Sequence, residues 1–321
     1  MKATDSGNTI HFVLALILPI TSSVLIGALF PTPLLAEPDN AADPWKRVAA
    51  LRAKAEELLD SVESDQDYGS ELRQKARESL LQASPLLVEE YQRSQKELAK
   101  YHELSPEWDR IRSKQVRAEY ALCEITQKIA ETYEKGSEEH KKQLELAAEK
   151  YEQFYDNHDT LLIGLQAIHY AGICYRDMEN EEFALSCFES LLGDEELRKV
   201  EALRPLLHKT VLAAFPIWND QIKKAKTHNE AVSAFSLAFG QSDLPIDDPE
   251  KVAPEQLEIE FRRARLAAYL AARMKSSKNA KVRKQYEELM TEATTLAKFA
   301  AEREGKHQEA AAELLEWLDE Q

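Results

Sequence analysis

Residues 165–192, LQAIHYAGICYRDMENEEFALSCFESLL, carry the strongest structural pattern in the chain. It spaces four landmark residues as G-x2-Y-x8-A-x3-F, at Gly172, Tyr175, Ala184 and Phe188. Small residues let two paired helices approach closely, and aromatic rings fill the gap between them. The pattern therefore predicts a packed helical hairpin, and no catalytic constellation stands beside it.

This spacing resembles the two-helix unit of the tetratricopeptide repeat (TPR) family. A looser copy precedes it, carried by Ala130, Tyr133, Ala147 and Tyr151. The resemblance covers about residues 119–193, returns weakly near Ala231 and Ala310, and is absent before Ser105. Because the strict TPR period of roughly 34 residues is not kept, the resemblance implies an all-α fold built as an irregular stack of antiparallel helix pairs.

The resemblance also implies a concave face, lined by first-helix residues that point away from the packing stripe. These candidate groove residues are Glu124, Gln127, Glu131 and Glu134 in the preceding unit, and Gln166, His169, Ile173 and Arg176 in the best unit. We expect this face to hold a segment of another protein, with a basic partner favoured by its acidic stripe. An ordinary solvated helix face carries the same residue types, so both interpretations stand at this point.

Composition and the positions of helix-breaking residues divide the chain into segments. No run after residue 36 alternates like a β-strand. The sequence predicts N-terminal helices over 45–104, TPR-like repeats over 105–240, a loop or boundary over 241–254, and a C-terminal helical segment over 255–321.

Several residues predict where helices start and stop. Ser105 followed by Pro106 is typical of a helix start, and so is Ser137. Gly136, just before Ser137, is typical of a helix stop. Proline lacks an amide hydrogen and crowds the preceding turn. We therefore expect Pro85 to end or kink one helix, and Pro205 and Pro216 to break the stretch LRPLLHKTVLAAFPIW into pieces.

The N-terminus predicts export. Residues 12–30, FVLALILPITSSVLIGALF, form the most hydrophobic run, and Pro19 with the small-residue centre favours a signal peptide over residues 1–36, cut after Ala36. A polar linker, 37–44, follows. An uncleaved anchor is the alternative, because the run is close to the length of a membrane span. The protein is thus expected to be periplasmic or extracellular, and membrane-anchored through residues 12–30 if they are retained.

Charge and cysteine content limit the partners and the chemistry. The net charge of −16 repels a phosphate backbone, so nucleic acid is not an expected partner. The chain has three cysteines. Cys174 and Cys187 lie on the two helices of one unit, where a disulfide is conceivable, but the odd count favours buried free thiols.

No residue pattern predicts a catalytic, cofactor or metal site. None of the eight histidines stands four residues from another, and the sequence has no P-loop, G-x-G-x-x-G or G-x-S-x-G motif. His158 and Asp159 are interpreted as a loop cap.

The function expected is therefore a non-enzymatic scaffold for protein–protein binding. A structural, oligomerising protein is the alternative, and an all-α carbohydrate-active enzyme is a more distant one. The oligomer would use a seam formed by Val48, Leu51, Ala55, Leu58 and Val62.

Overall fold

The computed structural model describes residues 43–64, 69–103, 105–246, 248 and 250–321. The predicted signal peptide and most of the linker lie outside these residues. Within the described ranges the fold is all-α: no β-strand occurs, and short turns join the helices. The helices are α1 (Pro44–Ser64), α2 (Gly69–Leu98), α3 (Pro106–Glu131), α4 (Glu138–His158), α5 (Leu162–Asp177), α6 (Glu181–Leu192), α7 (Glu195–Lys199), a 3-10 turn (Glu201–Leu203), α8 (Arg204–Lys224), α9 (His228–Ser242), α10 (Pro254–Met274), α11 (Ala280–Ala301) and α12 (Gln308–Asp319).

The helices stack as antiparallel pairs in chain order. Most helices pack against the next one along the chain. In the α3–α4 pair, Glu119 near the middle of α3 meets His158 at the end of α4, 3.1 Å apart. Gln127 near the end of α3 accepts a hydrogen bond from Tyr151, further back on α4, at 2.9 Å. The order of these contacts reverses along the two helices, so they run antiparallel.

The first helices of successive pairs lie side by side and parallel. Between α1 and α3, Arg117 lies over the Trp45 ring at 4.3 Å and Arg52 pairs with Glu124 at 2.9 Å. Both contacts advance in the same direction along the two helices. The pairs Phe261–His307 and Lys275–Gln321 relate α10 to α12 in the same way. We call α1, α3, α5, α8, α10 and α12 the front helices.

The N-terminal helices belong to the same stack. Val48 and Ala55 of α1 are buried in a cluster with residues of α2 and with Ala121, Ile125 and Ile129 of α3. Leu51 and Leu58 pack partly buried against the same cluster. Most of the apolar stripe considered as an intermolecular seam is therefore used for packing inside the chain.

The expected end of a helix at Pro85 and the expected break at Pro216 are wrong. Helices α2 and α8 continue through both residues, and Pro205 lies at the start of α8. Both internal prolines are exposed, so water can bond the carbonyl that loses its helical donor. Buried neighbours hold each helix in place, for example Leu87 after Pro85 and Trp218 after Pro216. Tertiary packing thus outweighs the local preference.

The predicted helix starts are confirmed, whereas α3 ends at Glu131, five residues before the stop expected at Gly136. The Ser105 side chain accepts a hydrogen bond from the Trp108 amide at 3.2 Å, and Ser137 accepts one from the His140 amide at 3.1 Å. Gly136 has φ 84°, the left-handed conformation that glycine adopts without strain. Between α9 and α10 the described residues form only irregular structure and a turn, which separates the last helices from the preceding ones.

Candidate binding surface

The α5–α6 hairpin depends on a close approach at Gly172. A Cβ atom built on Gly172 would lie 2.4 Å from Cε1 of Phe188 and 2.7 Å from its Cδ1. The Phe188 ring and Ala184 are fully buried. A second close approach occurs at Gly164, where a Cβ would lie 1.9 Å from the His158 carbonyl oxygen. These two positions therefore set how closely α5 packs on α6 and on the end of α4.

The tyrosines of the packing pattern contact the preceding hairpin. Tyr175 donates its hydroxyl hydrogen to Glu152 of α4 at 2.9 Å, and burial raises its pKa. Tyr133 lies under the Arg77 guanidinium of α2, at 3.6 Å from the ring centroid. Because α3 ends at Glu131, Tyr133 lies in the following turn. Ala130, Ala147 and Tyr151 are buried in the core with Gly172, Ala184 and Phe188.

The groove residues expected on α3 are mostly engaged inside the chain. Glu124 pairs with Arg52 of α1 at 2.9 Å, and Glu131 pairs with Lys128 at 2.8 Å. Gln127 accepts the Tyr151 hydroxyl hydrogen. Glu134 is exposed, but it lies beyond the end of α3 and so does not continue its face. Two of the three acidic groups thus have a cation beside them, and the basis for preferring a basic partner is reduced.

The groove residues expected on α5 also differ in their environments. Gln166 is half-buried, Ile173 packs against the core, and Arg176 bonds Asp177 at 2.8 Å. His169 is buried and meets Thr210 of α8 at 2.9 Å. Its place in an accessible groove is therefore not supported, because it lies between two front helices.

The surroundings of His169 favour its neutral form. The Thr210 hydroxyl donates to the Leu206 carbonyl, so its oxygen accepts from Nδ1 of His169. Burial lowers the pKa of His169 to about 4, with smaller contributions from Lys209 and Arg176. The ring therefore joins α5 to α8 as an uncharged donor at neutral pH.

The front helices expose residues that the sequence reasoning did not select. Tyr170 and Tyr269 are each 37% exposed. Tyr170 stacks on Tyr151, with ring centroids 5.7 Å apart. Tyr170 stands four residues after Gln166 and three before Ile173, so helical periodicity could have found it. Tyr269 lies in a segment where the TPR resemblance is weak, and nothing in the local sequence marks it.

The exposed residues of α8 and α10 recur every three or four positions, as one helix face requires. On α8 these are Lys209, the half-buried Leu212, Pro216 and Asp220; on α10 they are the half-buried Arg262 and the exposed Arg265 and Tyr269. The two helices are neighbours, because Arg273 of α10 donates to the Ile222 carbonyl of α8 at 2.7 Å. With Gln166, Tyr170 and Ile173 of α5, these residues form what we call the front face.

Elsewhere in the described residues the structure does not assemble a catalytic or metal-binding site. Within them no cluster of three or more potential ligands could hold a metal ion. His158 does not cap a loop: its ring is buried and reaches Glu119 of α3 at 3.1 Å. Burial raises the pKa of Glu260, which pairs with Arg263 at 2.8 Å. The interactions of Glu260 are therefore those of a buried ion pair that supports the fold.

The three cysteines are buried free thiols in the structure, which favours the second of the two states considered above. Burial raises the pKa of Cys123 and of Cys187 to about 12, and raises that of Cys174 further. Such thiols are protonated at neutral pH and are therefore poor nucleophiles. In the part of the chain that the structure describes, no helix combines the length and apolar character needed to cross a bilayer.

Comparisons with known proteins leave the family open. No model of a known protein family matches the chain, and no curated protein matches it. Among solved structures, the chain is similar to one described as "DHF58 filament", with 20% sequence identity and a TM-score of 0.25, over 86% of this chain and 98% of that chain. A similarity this distant carries no argument, so the function is argued from the geometry above.

Proposed function

We propose that this protein is a non-enzymatic scaffold that binds a segment of a partner protein on its front face. The proposal also holds that the helix stack is TPR-like and that the protein is exported through residues 12–30. The single observation that carries it is that α5, α8 and α10 lie side by side with one side of each exposed. That side presents two half-exposed tyrosines, Tyr170 and Tyr269.

Tyrosine at an exposed position favours a binding role for physical reasons. Its ring provides a large contact area with few rotatable bonds, and its hydroxyl can form hydrogen bonds at the same time. Leu212 and Pro216 add apolar area between the two tyrosine-bearing helices. A mixed aromatic, aliphatic and charged surface of this kind is typical of protein interfaces.

Photo-crosslinking in the cells that make the protein tests the proposal. A photoreactive phenylalanine analogue is placed at Tyr170 or Tyr269 in the full chain. Matched control positions are Leu146 of α4 and Leu237 of α9, which are 40% and 44% exposed and lie on the second helices of their pairs. We expect discrete protein adducts from the two front positions and none from the controls. Adducts from all four positions alike, or from none, would contradict the proposal.

A further inference from the structure

The front face has a different charge from the chain as a whole. The protein has a net charge of −16, yet between Phe261 and Met274 helix α10 contains four arginines and no acidic residue. Of these, Arg263 is buried and paired with Glu260. Arg262 and Arg265 lie on the front face, and Lys209 is exposed on α8, the neighbouring front helix.

Two of these cations have no carboxylate beside them. Arg262 bonds Glu258 at 3.0 Å, so its charge is largely compensated. In the described part of the chain, no carboxylate lies within ion-pair distance of Lys209 or of Arg265. Arg265 lies instead near the Phe261 ring, 5.7 Å from its centroid. Asp220, which continues the exposed side of α8, has Lys224 3.9 Å away. With that carboxylate offset, the two uncompensated cations leave a local positive field on this face.

The positive field extends into the boundary between α5 and α8. Lys209 and Arg176 both act on His169 from its surroundings, and both lower its pKa in addition to the larger effect of burial. No acidic group is among the causes that act on His169. Because Arg176 is bonded to Asp177 at 2.8 Å, Lys209 is the cation at this boundary that, among the described residues, has no carboxylate beside it.

Apolar side chains, and a backbone carbonyl that lacks its usual helical donor, lie on the same helix faces as the cations. Leu212, Pro216 and Tyr269 share the exposed sides of α8 and α10 with Lys209 and Arg265. Proline has no amide hydrogen, so Pro216 leaves the Leu212 carbonyl without its helical donor. A backbone or side-chain donor of a bound segment can take that position in place of water.

We propose that Lys209, Leu212, Pro216, Arg265 and Tyr269, which we call the basic strip, bind an acidic segment of another protein. The segment would carry aspartate or glutamate near Lys209 and Arg265, with apolar side chains against Leu212, Pro216 and Tyr269. This inference rests on the proposed function and reverses the charge that the sequence favoured for the partner. The chemical reason is that opposite potentials steer and stabilise the bound segment.

Selection from a displayed library of random 12-residue peptides tests the inference on the full chain. Selected peptides are then measured by fluorescence anisotropy against the wild-type chain, a Lys209→Glu/Arg265→Glu variant and a control. The control is Lys142→Glu/Lys278→Glu, which makes the same change in net charge at two exposed lysines on α4 and on the turn before α11. Matching circular dichroism and melting of all three chains verifies that they are folded.

We expect the selected peptides to be enriched in aspartate and glutamate with interspersed apolar residues. The Lys209→Glu/Arg265→Glu variant should bind them at least tenfold more weakly, which corresponds to about 1.4 kcal/mol, and the control less than twofold. Binding should also weaken as salt is raised from 50 to 500 mM, values chosen because the Debye length then falls from about 14 to about 4 Å.

Several outcomes would overturn the inference. Selection of no peptides, or of basic or neutral ones, would contradict it, as would equal loss of binding in the control variant. Equally tight binding of a single-stranded polynucleotide would show a general anion surface in place of a protein site. Acidic peptides that crosslink to Leu146 or Leu237 but not to Tyr269 would refute the proposed front-face function as well. Front-face crosslinks with non-acidic partners would refute this inference alone.

Discussion

Replacing Gly172 with alanine should destabilise the α5–α6 hairpin. In an exposed helix this substitution stabilises, because alanine has a helix propensity about 1 kcal/mol better than glycine. At Gly172 the added Cβ would lie 2.4 Å from Cε1, 2.7 Å from Cδ1 and 3.0 Å from Cζ of Phe188. Non-bonded carbon atoms have their optimal separation at about 3.5–4.0 Å, so the ring or the helix must move by about 1 Å.

The expected cost follows from the burial of Phe188. The ring is fully buried, so it has no free space into which it can turn. Overpacking a well-packed core costs about 1–3 kcal/mol, and an overlap with three ring atoms belongs at the upper end. Subtracting the gain in helix propensity leaves a net loss of about 2 kcal/mol in the free energy of unfolding. For a chain of this size, that lowers the melting temperature by about 3 °C.

Gly240 provides the matched control. It lies in α9, and a Cβ built on it meets no atom within 4 Å, so Gly240→Ala should stabilise the chain by about 1 kcal/mol. A Gly172→Ala/Phe188→Leu double variant should lose less than the two single variants added together, because leucine lacks two of the three crowding atoms. Urea denaturation followed by circular dichroism measures the wild-type chain and all four variants, including Phe188→Leu.

The comparison of Gly172→Ala with Gly240→Ala decides whether the close approach exists. If Gly172→Ala stabilises the chain as much as Gly240→Ala does, the two helices are not in close contact at Gly172. The packing role assigned to the G-x2-Y-x8-A-x3-F pattern would then be wrong.

Three further predictions concern other parts of the stack. His169 has a pKa of 6.5 when unperturbed and about 4 when folded, so its contribution to the free energy of unfolding is complete above pH 6.5 and is lost as the pH falls towards 4. Lowering the pH from 7.5 to 5 should therefore reduce the free energy of unfolding by about 2 kcal/mol. Urea denaturation of a His169→Gln variant should lack that part of the pH dependence. Pro216→Ala should raise the free energy of unfolding by about 2 kcal/mol, because it restores a helical hydrogen bond at an exposed position, and an unchanged urea midpoint would argue against this. A disulfide-exchange reagent at pH 8 should leave the native thiols unreacted and should label all of them in urea, whereas fast labelling of the native chain would contradict the burial of Cys123, Cys174 and Cys187.

The candidate site could be predicted only in part. The spacing around Gly172 gave the helix pair and placed Gln166 and Ile173 on the front side, because residues three and four apart share a helix face. The same rule could not reveal that His169 would be covered by α8 or that Arg52 would reach Glu124 from 72 residues away. Both contacts depend on which helix lies beside which.

Local sequence was sufficient for four features: the all-α class, the helix starts at Ser105 and Ser137, the left-handed turn at Gly136 and the packing residues of α5 and α6. Each follows from spacing or backbone preference within a few residues. The tertiary structure alone decided that α2 and α8 continue through their prolines, that α1 joins the stack, and that α8 and α10 bring Lys209 and Tyr269 to one face. Those features arise from burial against helices distant in sequence. Burying several apolar side chains stabilises the fold by more than the loss of one backbone hydrogen bond destabilises it, so burial outweighs local propensity.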